Sequence, residues 1–223
     1  MLSGSADSEH DIERSFRSKR RKNFNRARRR LQAEGAVRFR LLSEPEELRL
    51  GAEQFLALEA RGRKGRRGTA FLKSPARANF ARGLIAALSA ERKWRIASLD
   101  CAGRPIAMAI VLLSGDRAFF WKIAYDEAFA AFSPGVLLSL ELSRSLLADT
   151  RIALTDSCAT LDHPMLENLW RERLEIADLF VALAVDRKGF SAAVERERLR
   201  RNLRERLKGV VQRLRRFSPR LRA

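Results

Sequence analysis

Cysteine is scarce: Cys101 and Cys158 are the only two among 223 residues. Two thiols cannot build a disulfide framework, and with so few histidines they lack the spacing of a structural metal centre. No metal is expected, and the thiols fit a reducing compartment. Long apolar runs are missing as well. None approaches the roughly 18 residues of a membrane span, and the start, "MLSGSADSEHDIERS", has no apolar stretch of the signal-peptide kind. The expected compartment is the cytoplasm, with peripheral attachment at the inner membrane face as its variant. Tyrosine occurs once, at Tyr125. Any phenolic acid in the chemistry must be that residue. No internal repeat or low-complexity tract is present.

Acidic residues are few beside basic ones, and the formal charge is +18. The excess belongs to the ends: residues 1–35 carry 10 basic and 5 acidic side chains, and residues 186–223 carry 14 and 4. The middle is nearly neutral, with 21 against 18. An apolar content of 46% is enough for one good-sized core. These shifts divide the chain into a basic lead-in helix over 1–35, a globular domain over 36–185, and a basic amphipathic helix over 186–223.

Periodicity sketches the elements. Residues 1–11 read as loose. A helix is expected from Ile12 to Glu34, with Phe24, Ala27 and Leu31 as its apolar stripe and Gly35 at its C-cap. "AVRFRLL" alternates like a strand, and two helices follow in "EPEELRLGAEQFLALEA" and "ARANFARGLIAALSAE". The basic, glycine-rich "RGRKGRRGTAFLKSP" between them reads as a loop. Three strands, "WRIASLD", "PIAMAIVLL" and "AFFWKIAY", are joined by turns short enough for antiparallel hairpins. Next come a helix over 133–148, a strand "RIALT", a helix over Met165–Arg171 and a strand "IADLFVALA". A long helix from Ser191 to Phe217 ends the chain, striped by Leu199, Leu203, Leu207, Val210 and Leu214. Hairpins first and a helical crossover later predict an α+β fold with a mixed, mostly antiparallel sheet flanked by helices.

The start of the 133–148 helix is "SPGVLL". Ser133 suits an N-cap and Pro134 the first helical position. Gly135 is unusual, because glycine in a helix costs about 1 kcal/mol against alanine. Either it packs closely on a neighbour, or it clears space over backbone N–H groups that can meet a phosphate. Both readings stay open on the three residues alone.

Four stretches together, "SKRRKNFNRARRRLQAEG", "FLALEARGRKGRRGTAF", "GRPIAMAIVLLSGDRAFFWKIAYDEAFAAFSPGVLL" and "TDSCATLDHPMLENLWRERLEIADLFVAL", resemble the GNAT acyltransferase superfamily. Within it they are similar to the acetyltransferase-like branch of bacterial cellulose-biosynthesis proteins, which is related to the Fem-type aminoacyl transferases. Arg63 stands where that branch has a tryptophan. Its members are often longer, so a missing N-terminal half or a partner chain would complete a shared site.

The resemblance implies acetyl-coenzyme A or another acyl-coenzyme A as co-substrate. Its pyrophosphate would meet Ser133, Pro134, Gly135 and Val136, and its thioester carbonyl the backbone near Ile123 and Ala124. It further implies an amine or hydroxyl acceptor on a small molecule, a saccharide of envelope or exopolysaccharide metabolism among them. A non-catalytic basic binding module of the same fold, and aminoacyl transfer from tRNA, are the alternatives.

Acyl transfer to an amine needs a base, donors for the oxyanion and an acid for the thiolate. Asp126, Glu127, Asp156 and Glu59 are the base candidates and Tyr125 the acid. Against these stand blander roles: Asp126 and Glu127 as solvated loop residues, Asp156 as a loop cap, and Glu59 in a surface ion pair with Lys64 or an arginine. Alternation puts Phe119, Trp121 and Ile123 on one face of their strand and Phe120, Lys122 and Ala124 on the other. Lys122 is either a strand-edge solubilising lysine or a cation that meets a phosphate or carboxylate, and on so apolar a strand a place in a cleft is the expectation. His163 fits a helix start in "DHP" better than a nucleophile pair with Cys158 or Ser157. The C-terminal helix can pack on the domain, lie on an anionic membrane surface, or attract nucleic acid; its lack of interleaved aromatics weakens the last.

Overall fold

Three hairpin strands organise the sheet, as their alternation predicts. A computed structural model of the chain describes residues 2–3, 18–159, 163, 165, 169–170, 172–182 and 187–217. Two compact units divide the chain, Met1–Leu174 and Glu175–Ala223. In the first, the strands are β1 (Leu2–Ser3), β2 (Val37–Leu42), β3 (Trp94–Cys101), β4 (Arg104–Ser114), β5 (Arg117–Tyr125) and β6 (Leu154–Asp156). The helices are α1 (Ser18–Ala33), α2 (Pro45–Arg61), α3 (Arg63–Arg66), α4 (Pro75–Ala90) and α5 (Pro134–Ala148). Sheet order is β1-β6-β5-β4-β3-β2, antiparallel throughout except for the parallel β5–β6 pair. The mixed, mostly antiparallel α+β architecture is the expected one.

Apolar side chains cover both faces of the central strands, so each face must be roofed. On one face Leu31 of α1 and Leu137, Leu138, Leu142 and Leu146 of α5 pack against Ala107, Ala109 and Val111 of β4. On the other, Leu48, Phe55 and Leu56 of α2 meet Ile96, Met108 and Ile110. α1 therefore belongs to the first unit's core, with Leu31 fully buried. Ser139 and Ser143 tolerate burial because each hydroxyl donates to the carbonyl four residues back, at 2.8 and 2.7 Å.

Several expectations need correction. Leu2–Ser3, read as loose, pairs antiparallel with β6. The loop over 61–75 holds the turn α3 and a 3₁₀ turn at Phe71–Lys73. Gly65 permits this: a Cβ there would lie 1.7 Å from the Ala60 carbonyl oxygen. "RIALT" shrinks to β6, which starts only at Leu154. "IADLFVALA" forms no strand over 176–182, where Ile176 and Leu179 are 83% and 87% exposed. Among the described residues no strand pairs with that segment. The last helix, α6, begins at Arg187 rather than Ser191. Residues 12–17 of the first expected helix, and most of Met165–Arg171 with Asp162 and Pro164, lie outside the described residues.

The face assignment along β5 also changes. Ile110 faces Lys122 but Val111 faces Phe120, so Trp121 is an extra residue at a β-bulge. Beyond it the alternation slips. Phe120 and Ile123 pack with the α5-side core, while Trp121 and Ala124 join the α2-side core.

Candidate active site

β5 has β6 beside it only over Arg117–Phe119. From Phe120 onward that edge has no strand partner among the described residues. The Asp126 N–H donates to the Ile106 carbonyl at 2.8 Å, marking a hydrogen-bonded pair. Antiparallel alternation then turns Ala124 toward Met108 and turns the N–H and C=O of Ile123 and Tyr125 away from β4. The splay thus presents backbone groups along an open edge, beside the start of α5.

A cleft of about 720 Å³ opens there. Ile123, Ala124 and Tyr125 line its floor, and Ser133, Pro134, Gly135 and Val136 one wall. The opposite wall comes from the end of α2 and from α3, with Glu59, Arg63, Lys64 and Arg67. Glu127, His163 and Met165 also line it. Five of these, Arg63, Lys64, Arg67, His163 and Met165, went unassigned to the cleft from sequence; the density of cations in "RGRKGRRG" was the available signal for three of them.

The helix start departs from the expected cap. Ser133 sits in the left-handed region at φ 52° and ψ 50°, and its hydroxyl makes no capping bond. The Val136 N–H donates to the Ser133 carbonyl at 3.0 Å, and proline has no N–H. Gly135 therefore carries the first-turn amide without an acceptor among the described residues. A Cβ on Gly135 would meet Ile123 Cδ1 at 3.5 Å and Tyr125 Cδ1 at 3.7 Å, ordinary contact distances. The glycine is tolerated packing, not a forced close approach.

Glu59 is fully buried, not the surface partner anticipated. Its Oε1 accepts from Lys64 Nζ and Lys122 Nζ, both at 3.2 Å, and its Oε2 accepts from the Phe71 N–H at 3.0 Å. Burial pushes its carboxyl up, but the Phe71 N–H and the two ammoniums outweigh that and hold it below the usual glutamate range. Lys64 Nζ also reaches the Ile123 carbonyl at 3.3 Å, and Lys122 Nζ lies 4.2 Å from the Phe71 ring centre. Glu59 therefore ties the loop to β5, and the Lys122 ammonium is spent on it.

Asp126 and Asp156 do not line the cleft. Asp126 caps the 3₁₀ turn Glu127–Phe132 by accepting from the Ala128 N–H at 3.0 Å, and Asp156 accepts from the Cys158 N–H at 2.8 Å. Glu127 faces the cleft but is bonded by Arg66 Nη2 at 2.5 Å, which with the Arg63 N–H and charge keeps its carboxyl low despite desolvation. Tyr125 is 41% exposed at the strand end. Partial burial, then the Asp156 charge, pushes the Cys158 thiol up to about 11, which makes it a poor nucleophile. Among the described residues no group of three or more metal-binding side chains occurs.

Residues 18–158 match the family model of the acetyltransferase (GNAT) domain. That is well over half of the chain, and the protein belongs to the GNAT acetyltransferases, enzymes that transfer an acyl group and use acetyl-coenzyme A. No curated protein matches the chain. Among solved structures it is similar to a possible acetyltransferase from Clostridium difficile 630, at 12% identity and TM-score 0.47, covering 66% of this chain and 98% of that one. A GCN5-related N-acetyltransferase from Ralstonia eutropha JMP134 aligns at 16% identity and TM-score 0.46, over 65% and 99%. The PaiA N-acetyltransferase of Thermoplasma acidophilum, in complex with coenzyme A, aligns at 12% and 0.36, over 49% and 71%.

Proposed function

We propose that the protein moves an acyl group, acetyl in the simplest case, from acyl-coenzyme A to an amine or hydroxyl of a small molecule. The observation that supports this is the cleft itself: an open strand edge with outward N–H groups, adjoining a helix start, inside a GNAT domain. In this reading the donor lies along β5 with its phosphates toward Gly135. The acceptor nitrogen attacks the thioester carbon, and the Ile123 N–H meets the developing oxyanion. The C–S bond then breaks, the thiolate takes the Tyr125 phenol proton, and the acceptor's proton passes to His163, whose imidazole lines the same cleft. A saccharide amine of envelope or exopolysaccharide metabolism is the proposed acceptor, on the likeness to the cellulose-biosynthesis branch.

The test is titration of the folded protein with acetyl-coenzyme A, followed by thiol release with a panel of amines. Donor at a hundred times its Kd should stabilise the protein by about 2.7 kcal/mol. A folded protein that acyl-coenzyme A leaves unstabilised refutes the reading.

We also propose that α6 rests on an anionic lipid surface. Leu199, Leu203, Leu207 and Val210 are 64, 60, 57 and 53% exposed, on a helix of twelve basic and three acidic residues. Apolar burial and headgroup attraction then act together. A second copy of the helix would bring like charge against like.

A further inference from the structure

Five cations sit on or beside the α2–α3 wall of the cleft, and they are not used alike. Lys64 and Lys122 are spent on Glu59. Arg66 is spent on Glu127. Arg63 and Arg67 line the cleft and have no ion pair or side-chain hydrogen bond among the described residues. Glu127 feels the Arg63 charge, but its side-chain bond goes to Arg66. Five positive charges thus face two negative ones.

The placement of the two arginines is costly by itself. The Arg67 N–H donates to the Arg63 carbonyl at 3.0 Å, so the two residues lie one helical turn apart on one side. Like charges at that spacing repel. The loop cannot easily swing them apart, because it is pinned on both sides. Gly65 lies against the Ala60 carbonyl, where any side chain would clash. The Lys64 carbonyl accepts from the Thr69 and Ala70 N–H groups at 2.8 and 3.1 Å, while the Lys64 ammonium is held by buried Glu59. A buried carboxylate is thus committed to holding a wall that presents two guanidiniums toward the cleft without acids of their own.

We infer that Arg63 and Arg67 form a fork for an anionic group, phosphate or carboxylate, carried by the acceptor. This rests on the acyl-transfer reading, in which the donor's phosphates take the opposite wall. Planar guanidiniums suit the oxygens of either group. The acceptor class is then a small amine or alcohol that bears a negative charge away from its reacting atom. Glu59 is a positioning residue for this fork.

Calorimetric titration of the full chain tests it. Coenzyme A is titrated first; the saturated protein then receives glucosamine 6-phosphate or, as the uncharged match, glucosamine. The phosphorylated amine should bind about a hundredfold more tightly. Arg63→Ala and Arg67→Ala should each weaken it about tenfold, and the double variant should erase the preference. Coenzyme A affinity and the melting temperature should stay at parent values, since both side chains are exposed. Equal binding of the two amines to the parent overturns the inference, and so does a double variant that keeps the preference. A double variant that loses coenzyme A affinity assigns the arginines to the donor and also overturns it. Failure of the parent to bind coenzyme A at all would instead sink the acyl-transfer reading.

Discussion

Replacing Glu59 is the sharpest test of how this site is held. Its carboxylate is fully buried and accepts three bonds, two of them from ammoniums. Hydrogen bonds to charged groups contribute about 1.5–3 kcal/mol each, and removing one member of a buried pair costs roughly 3–5 kcal/mol. The two lysines do not suffer equally. Lys64 is 43% exposed and can turn to water, whereas Lys122 is 21% exposed and lies under Phe71. Glu59→Gln keeps an oxygen for the Phe71 N–H and should cost about 2 kcal/mol. Glu59→Leu strands that N–H and both lysines, and should cost about 4 kcal/mol. At about 2–4 °C per kcal/mol, the amide variant should melt about 4–8 °C lower and the leucine variant about 8–16 °C lower.

The pH dependence has a definite sign. The folded Glu59 titrates below the usual 4.5, so its contribution is complete above that pH and fades as pH falls through the lower folded value. The melting gap between parent and Glu59→Gln should therefore be constant near neutrality and close on acidification. Thermal denaturation followed by circular dichroism from pH 7 to pH 3 measures both effects. A Glu59→Gln protein within 0.5 °C of the parent at pH 7, or a gap that widens in acid, would refute the anchoring role.

Other expectations concern the cleft and the last helix. Gly135→Ala should keep the fold and most donor affinity, because the new Cβ meets only ordinary contacts; Gly135→Glu should lose donor binding in calorimetry, and unchanged affinity there would remove phosphate from this wall. Tyr125→Phe should lower kcat about 10²–10⁴-fold with donor Kd unchanged if its phenol protonates the thiolate, and parent-like turnover would exclude it. His163→Gln should lower kcat about 10²–10⁴-fold with donor Kd unchanged, whereas parent-like turnover would move the base elsewhere. Leu203→Asp with Leu207→Asp, both exposed, should weaken sedimentation with phosphatidylserine vesicles most at high salt, where headgroup attraction is screened; parent-like sedimentation at high salt would exclude the lipid-facing stripe.

The order of elements was legible in the sequence because each signal is local. Hairpin spacing and apolar alternation define β3 to β5, and "SPGVLL" marks where α5 begins. The stretches lining the floor and one wall of the cleft, Ile123 to Tyr125 and Ser133 to Val136, were also readable, since they flank one short connection. What the sequence could not determine depends on register and on distant packing. The bulge at Trp121 exists only in the pairing of β5 with β4, and it alone reassigns the faces around Lys122. Glu59 stands among basic neighbours and reads as a surface acid; burial follows from Phe71 and Lys122, 12 and 63 residues away, closing over it. "IADLFVALA" has the composition of a strand, yet a strand requires a partner edge, and over 176–182 it has none among the described residues. Local propensity names the elements, but only the assembled sheet decides which edges stay open and which charges are buried.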